Sequence, residues 1–197
     1  MKKEYSTNKN LVKLVLKGDN DAFKQIILNT QGLVIQIVYK MIDNSLDRED
    51  LIQEIYLKVY HKLSSFKFNS KLSTWIGTIA YNTCLNFLEK KKLPTIKVFD
   101  KEGNESWNMV DSLIHTSQNQ TDDYIFKKER QMVLEIEIEK LPPVYKTLIT
   151  LFHKQELSYE EISKITSLPR GTLKSYLFRA RKMLRTNLLH TYKKEEL

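Results

Sequence analysis

Residues 157–185 read LSYEEISKITSLPRGTLKSYLFRARKMLR, and this stretch decides the fold. Ser158 stands three residues before Glu161, the spacing of a capping box in which the serine hydroxyl and the glutamate each satisfy a free amide at a helix start. A short helix to Thr166 follows, then a turn at Ser167-Leu168-Pro169, then a long basic helix from Arg170 to about Leu189. Placed at 100° intervals, Leu173, Leu177, Ala180 and Leu184 form one narrow apolar stripe that can pack on Ile162 and Ile165. Two helices, the second locked to the first by an apolar stripe, make a helix-turn-helix.

The opposite face of the second helix carries the chemistry. Lys174, Ser175, Phe178, Lys182 and Arg185 point broadly away from the stripe, and between Pro169 and Lys194 there are eight basic residues and no acidic one. A basic outward face next to a helix-turn-helix suits DNA. Near the start of the helix Lys174 and Ser175 can reach base edges in a major groove, while Arg179, Arg181 and Arg185 suit phosphates. A merely solvated basic face is the competing reading from charge alone; the capping box, turn and short preceding helix weigh against it.

Working outward, only five glycines and four prolines interrupt the 197 residues, and apolar residues recur at three and four rather than at two. The expected fold is all-α. Asp19 and Asn20 cap a helix carrying Phe23, Ile26, Ile27, Val34 and Val38 and fading near Asp43 and Asn44. Asp47 is the expected cap of the next helix, which runs to about Leu63 with Leu51, Ile52, Ile55 and Val59 on one side. Residues 64–70 read as a loop with two exposed phenylalanines, Phe66 and Phe68. A third helix runs from about Leu72 to Lys92, with Pro94 beyond it. Residues 93–120 lose all periodicity and read as a linker in which Trp107, Met109 and Val110 can dock. Helices are expected again over Thr121–Lys140 and, after Leu141-Pro142-Pro143, over Val144–His153. The organisation is two small helical domains, 1–92 and 121–197, joined by a flexible acidic linker.

Charge follows the same division. Residues 1–97 hold 16 basic and nine acidic residues, residues 98–140 five and ten, and residues 141–197 eleven and five, within a net charge of +8. Two basic blocks flanking an acidic middle fit a polyanionic partner. Cys84 is the single cysteine and the four histidines are scattered, so neither a disulfide framework nor a zinc spacing can be assembled, and no cofactor or metal is expected. The apolar run Leu11–Leu16 is short and broken by Lys13, and no stretch approaches the roughly 20 apolar residues of a membrane helix, so no membrane insertion and a cytoplasmic location are expected. No Gly-rich phosphate loop or nucleophile–base arrangement points to an enzyme.

Two blocks resemble a known family. Leu141-Pro142-Pro143, residues 157–162, residues 168–175 and Arg179-Ala180-Arg181 closely resemble region four of sigma-70-type RNA polymerase sigma factors. Residues 47–54, DREDLIQE, and the span from Phe66 to Asn82 resemble region two. The resemblance covers about Asp21–Lys92 and Arg130–Arg185, in family order and with too short a linker for a middle domain, which places it with the extracytoplasmic function (ECF) subgroup. It implies a sigma factor with core RNA polymerase and promoter DNA as partners and an anti-sigma factor as inhibitor.

The resemblance also implies roles for residues. Residues of the C-terminal domain, Arg170, Thr172, Lys174, Ser175, Phe178, Arg179, Arg181, Lys182 and Arg185, would bind the upstream (−35) element. Phe66, Phe68, Asn69, Lys71, Asn82 and Asn86 would capture the downstream (−10) element, where a flipped base needs a pocket and single strands need stacking surfaces and cations. Trp75 is a weaker candidate because it shares a face with Ile79. Asp50, Gln53 and Glu54, off the apolar stripe of their helix, would meet core polymerase; a solvated surface helix is the alternative for them. Thr78 and Leu85 stand where the family often has basic residues, which shifts promoter melting toward Lys71 and Lys90-Lys91-Lys92 or toward polymerase itself; Tyr176 departs in the same way in the C-terminal domain, where it removes one expected backbone contact. The acidic linker would mimic nascent RNA in the polymerase channel, or serve only as a tether. An ordinary dimeric helix-turn-helix regulator is the rival function, distinguished by binding duplex DNA without polymerase.

Overall fold

A computed structural model describes residues 2–90 and 123–191, with side chains over 8–90 and 130–191. Among the described residues every regular element is helical: α1 (Lys2–Val15), α2 (Asn20–Met41), α3 (Ser45–Lys62), α4 (Leu72–Lys90), α5 (Asp123–Glu139), α6 (Pro143–Ile149), α7 (Tyr159–Thr166) and α8 (Arg170–Thr191). The linker expected over 93–120, with Lys91, Lys92, Trp107, Met109 and Val110, lies outside the described residues.

Local chemistry sets most boundaries. Helix α1, which the periodicity did not reveal, ends in a left-handed turn at Gly18 (φ +94°), where the amides of Gly18 and Asp19 donate to the carbonyls of Val15 and Leu14 at 2.9 and 3.1 Å. That pair of bonds is a Schellman closure, and glycine takes the positive φ without steric cost. The next residue, Asp19, caps α2 by accepting from the Ala22 amide at 3.0 Å. Helix α3 starts three residues earlier than expected. Asn44, not Asp47, is its cap and accepts from the amides of Leu46 and Asp47, while Asp47 sits in the first turn, where its charge complements the helix dipole. Pro143 opens α6, and the chain then widens into a π turn over Thr150–Lys154.

The first half stacks α4 on α2 and α3, with α1 along α2. Val34, Ile37, Ile55, Val59, Ile76 and Ala80 fill its centre, together with Cys84, whose thiol is pushed up to about 12 first of all by burial. The second half packs α8 on α6, α7 and α5, with Leu148, Ile162, Ile165, Leu173, Leu177 and Ala180 inaccessible to solvent. These two cores are continuous, because α4 lies along α7 and α2 along α6. The approach is close at Gly77: a Cβ there would stand 3.1 Å from Ile165 of α7 and 3.3 Å from Leu33 of α2. A glycine on α4 lets the two helices approach this closely.

Candidate nucleic-acid interface

The helix-turn-helix is built as its sequence dictates. Both arms of the capping box form: the Glu161 amide donates to Ser158 Oγ at 3.3 Å and the Ser158 amide to Glu161 Oε2 at 3.0 Å. Ser167 takes a left-handed conformation (φ 58°) to end α7, and the Ser163 hydroxyl donates to the Leu168 carbonyl at 2.6 Å, which fixes the turn before α8. Leu173, Leu177 and Ala180 are fully buried and Leu184 partly so, as the stripe requires.

On the other face Lys174, Ser175, Lys182 and Arg185 are exposed, and Thr172, Phe178 and Arg179 are half-buried. Ser175 Oγ donates back to the Gly171 carbonyl at 3.1 Å. Arg170 forms an ion pair with Glu160 of α7, which ties the start of α8 to its neighbour. Arg181 departs from the expected phosphate-facing position. Its guanidinium lies 3.2 Å from His153 Nε2 and over the Phe152 ring, 5.4 Å from the centroid, so it bridges α8 to the π turn. Only 40° of helix rotation separates it from Leu177, which explains the inward turn. Tyr176 is buried edge-on against Tyr145 at 5.8 Å, and its charge, when ionised, is felt at Tyr81 of the first half.

The loop after α3 differs from expectation in one respect. Phe66 is buried, 7% exposed, beneath Phe68 and Trp75, with ring centroids 4.6 and 5.2 Å away. A loop position reads as exposed by default, but here three aromatics stack into a single wall. Phe68, at φ 58°, forms its half-exposed top, and the Lys9 ammonium of α1 lies 5.9 Å from its centroid. Asn69 and Lys71 are exposed beside this wall, and Asn82 and Asn86 share one exposed face of α4 a turn apart. Asp50, Gln53 and Glu54 are exposed on α3, as expected, with Glu54 paired to Lys58 at 2.6 Å.

Several interactions escape sequence reasoning because they join distant parts of the chain. Lys71 pairs with Glu161 at 2.9 Å, the Lys164 ammonium donates to the Asn69 carbonyl at 3.4 Å, and the Thr78 hydroxyl donates to the Lys164 carbonyl at 3.2 Å. At the other end Lys40, almost wholly buried, pairs with Glu135 at 3.0 Å and with Glu139 of α5. Lys146, also buried, reaches Asp43 at 3.3 Å and Glu139 at 3.5 Å. Burial works against the Lys40 ammonium, but hydrogen bonds and attraction from Glu139 and Glu135 outweigh it and raise the group above its usual range. For Glu161 burial likewise favours the neutral form and is outweighed by bonds from Lys71 and Ser158, leaving the carboxyl below its ordinary value. The one signal in the sequence was the acidic run Glu135, Glu137, Glu139 set against basic flanks. No group of His, Cys, Asp and Glu among the described residues could hold a metal, and no described helix is long and apolar enough to cross a membrane.

Comparison with known proteins places both halves. Residues 26–93 match sigma-70 region 2 and residues 132–184 match sigma-70 region 4. The chain is 33% identical over 180 residues to the ECF RNA polymerase sigma factor SigW of Bacillus subtilis, covering 91% of this chain and 96% of that protein. It is 31% identical over 185 residues to the ECF RNA polymerase sigma-E factor of Escherichia coli K12, covering 92% and 94%. Among solved structures, the sigma factor RpoE in complex with the anti-sigma factor NepR from Bartonella quintana superposes with a TM-score of 0.57 at 27% identity, over 87% of this chain and 98% of that one. CnrH in complex with the cytosolic domain of CnrY shares the fold at a TM-score of 0.62 and 15% identity, over 94% and 99%. With both regions matched in order and relatives aligned over nearly their whole length, the chain belongs to the ECF group of the sigma-70 family of RNA polymerase sigma factors.

Proposed function

We propose that residues 1–92 bind core RNA polymerase and open the −10 element, that residues 121–197 read the −35 element, and that residues 93–120 tether the two. The observation that carries this reading is the outward face of α8, where Lys174, Ser175, Lys182 and Arg185 are exposed and turned broadly away from the buried Leu173, Leu177 and Ala180. Lys174, Ser175 and Phe178 take the base edges, with Thr172 beside them, and Arg170, Arg179, Lys182 and Arg185 take phosphates. Arg181, held by His153, acts by seating α8 on the π turn. In the first half Phe68 and Trp75 supply the stacking surface over a buried Phe66, Asn69, Asn82 and Asn86 supply amide and carbonyl groups, and Lys71 supplies charge. Asp50, Gln53 and Glu54 form the polymerase-facing patch.

The protein works as an initiation factor rather than as an enzyme, in the cytoplasm alongside polymerase, and an anti-sigma factor is among its partners, as the Bartonella relative is found in complex with the anti-sigma factor NepR. Transcription with purified core polymerase on a genomic DNA library tests the assignment. Starts that appear only on adding this protein, and that share an upstream element, support it. Tight duplex binding by the chain alone, with no new starts, would favour a self-sufficient regulator instead.

A further inference from the structure

We infer that α1 is a further DNA-contacting element, in which Lys9 closes over a base stacked on Phe68 while Lys13 and Lys17 follow the phosphates of the adjoining single strand. This rests on the assignment of the Phe68 wall to the −10 element. Helix α1 lies ahead of residues 26–93, the span that matches region 2. The Lys9 ammonium stands over the Phe68 ring, 5.9 Å from its centroid. A base set about 3.4 Å from each surface needs roughly 1 Å more than that gap. The long, flexible arm of an exposed lysine gives this distance without moving the backbone. The base would then lie between an aromatic ring and a cation, and every base offers a π face to both.

Single-strand binding also needs positive charge along the backbone path, and α4 does not supply it. From Leu72 to Leu88 that helix holds no charged residue, and Lys71 before it has Glu161 as a partner. Helix α1 makes up the lack. Every charged residue from Lys9 to Lys17 is a lysine, and Lys9, Lys13 and Lys17 recur at intervals of four. Lys9 and Lys13 stand about 6 Å apart along the helix, and Lys17 follows in the turn beyond it. All three are exposed, turned away from the buried Val12 and Val15, and among the described residues none has an acidic partner. Like charges at this spacing weaken their own helix. An anionic partner outside the chain accounts for a row that the fold itself does not need.

The test uses the full chain assembled with core polymerase, on a promoter taken from the genomic-library starts. A photoreactive azidophenacyl group is attached at Lys9→Cys and, in a second protein, at Asn69→Cys, with the buried Cys84 left unlabelled. In open complexes both should crosslink the same DNA strand within a few nucleotides of one another. Crosslinking of the −10 element from Asn69→Cys alone would overturn the inference and leave the −10 assignment standing, whereas crosslinking from neither removes both. Affinity for a pre-opened bubble template gives an independent reading. Lys9→Gln should weaken binding about two- to fivefold, with rescue by Lys9→Arg. Lys13→Gln with Lys17→Gln should flatten the slope of log affinity against log salt by about 1.4, the share of two phosphates on a single strand. Removing all three charges should leave the melting temperature of the free protein no lower than wild type. A lower melting temperature with an unchanged salt slope would make the row a structural brace and overturn the inference.

Discussion

Tyr176 on α8 meets Tyr145 on α6 edge to face at 5.8 Å and is buried, so the tyrosine that interrupts the basic helix faces protein and not solvent. An aromatic pair of this geometry contributes about 0.5–1.5 kcal/mol beyond its buried area. Tyr176→Ala should therefore lower the urea midpoint of unfolding and leave the preferred −35 sequence unchanged. A shifted preference with undiminished stability would place Tyr176 in the DNA-facing set.

Leu177, one turn along the buried stripe from Leu173, should behave as a pure core residue. Leu177→Ala should cost about 2–5 kcal/mol in equilibrium denaturation, since the residue is fully enclosed and its neighbours collapse only in part. A loss below about 1 kcal/mol would mean the helix is not anchored by this stripe.

Upstream readout separates bases from backbone. Lys174→Ala should change the sequence selected from randomised upstream elements in the presence of core polymerase, losing roughly 1–3 kcal/mol of discrimination at its matched pair. Arg185→Ala should instead weaken all sequences alike and flatten the salt dependence. An unchanged selected sequence when Lys174, Ser175 and Phe178 are all alanine would show that α8 is not the reader.

Strand separation and polymerase binding have their own readouts. Asn82→Ala or Phe68→Ala should leave closed complexes intact and reduce permanganate reactivity of unpaired thymines, with partial rescue on a pre-opened bubble. Gln53→Ala with Glu54→Ala should reduce co-purification with core polymerase at unchanged helicity. Full retention of a folded double variant would remove this patch from the interface.

Acid should weaken the molecule in a defined window. The Glu135 and Glu161 carboxyls sit below the ordinary 4.5: burial opposes this, and bonds from Lys40 and Lys154, and from Lys71 and Ser158, prevail. Their contribution is complete above 4.5 and is lost as pH falls through their lower folded values. The stability difference between wild type and Glu135→Gln with Glu161→Gln should therefore shrink steadily below pH 4.5. For Lys40, raised above 10.5, the sign reverses: its contribution holds below 10.5 and fades as pH rises past the folded value. A difference independent of pH between 5.5 and the acid transition would dissociate these groups from stability.

What was legible in the sequence is what depends on neighbours along the chain. The capping box at Ser158 and Glu161 and the stripe Leu173, Leu177, Ala180 follow from spacings of three and four, and both form as read. Asn44 displaced Asp47 as a cap because the run Asp43-Asn44-Ser45-Leu46-Asp47 offers several competent residues, and only the packing of α3 selects one. Phe66 looked exposed because a loop gives no periodicity to reveal that Trp75, nine residues on, would cover it. Contacts between elements distant in the chain left only local oddities in the sequence: Thr78 and Tyr176 where basic residues were expected, and a glycine inside α4. Each is explained by a partner more than 30 residues away or, for Tyr176, on another helix of its own half.

Cys84 offers an experimental handle of a different kind. The chain's single cysteine is sealed in the first core with its thiol pushed up to about 12, so almost no reactive thiolate is presented at neutral pH. Its alkylation rate is set by how often α4 lifts from α2 and α3. A maleimide reagent added in excess would count those excursions one molecule at a time by mass, and a cysteine introduced elsewhere on the surface would react first, giving a singly labelled chain without removing the native thiol.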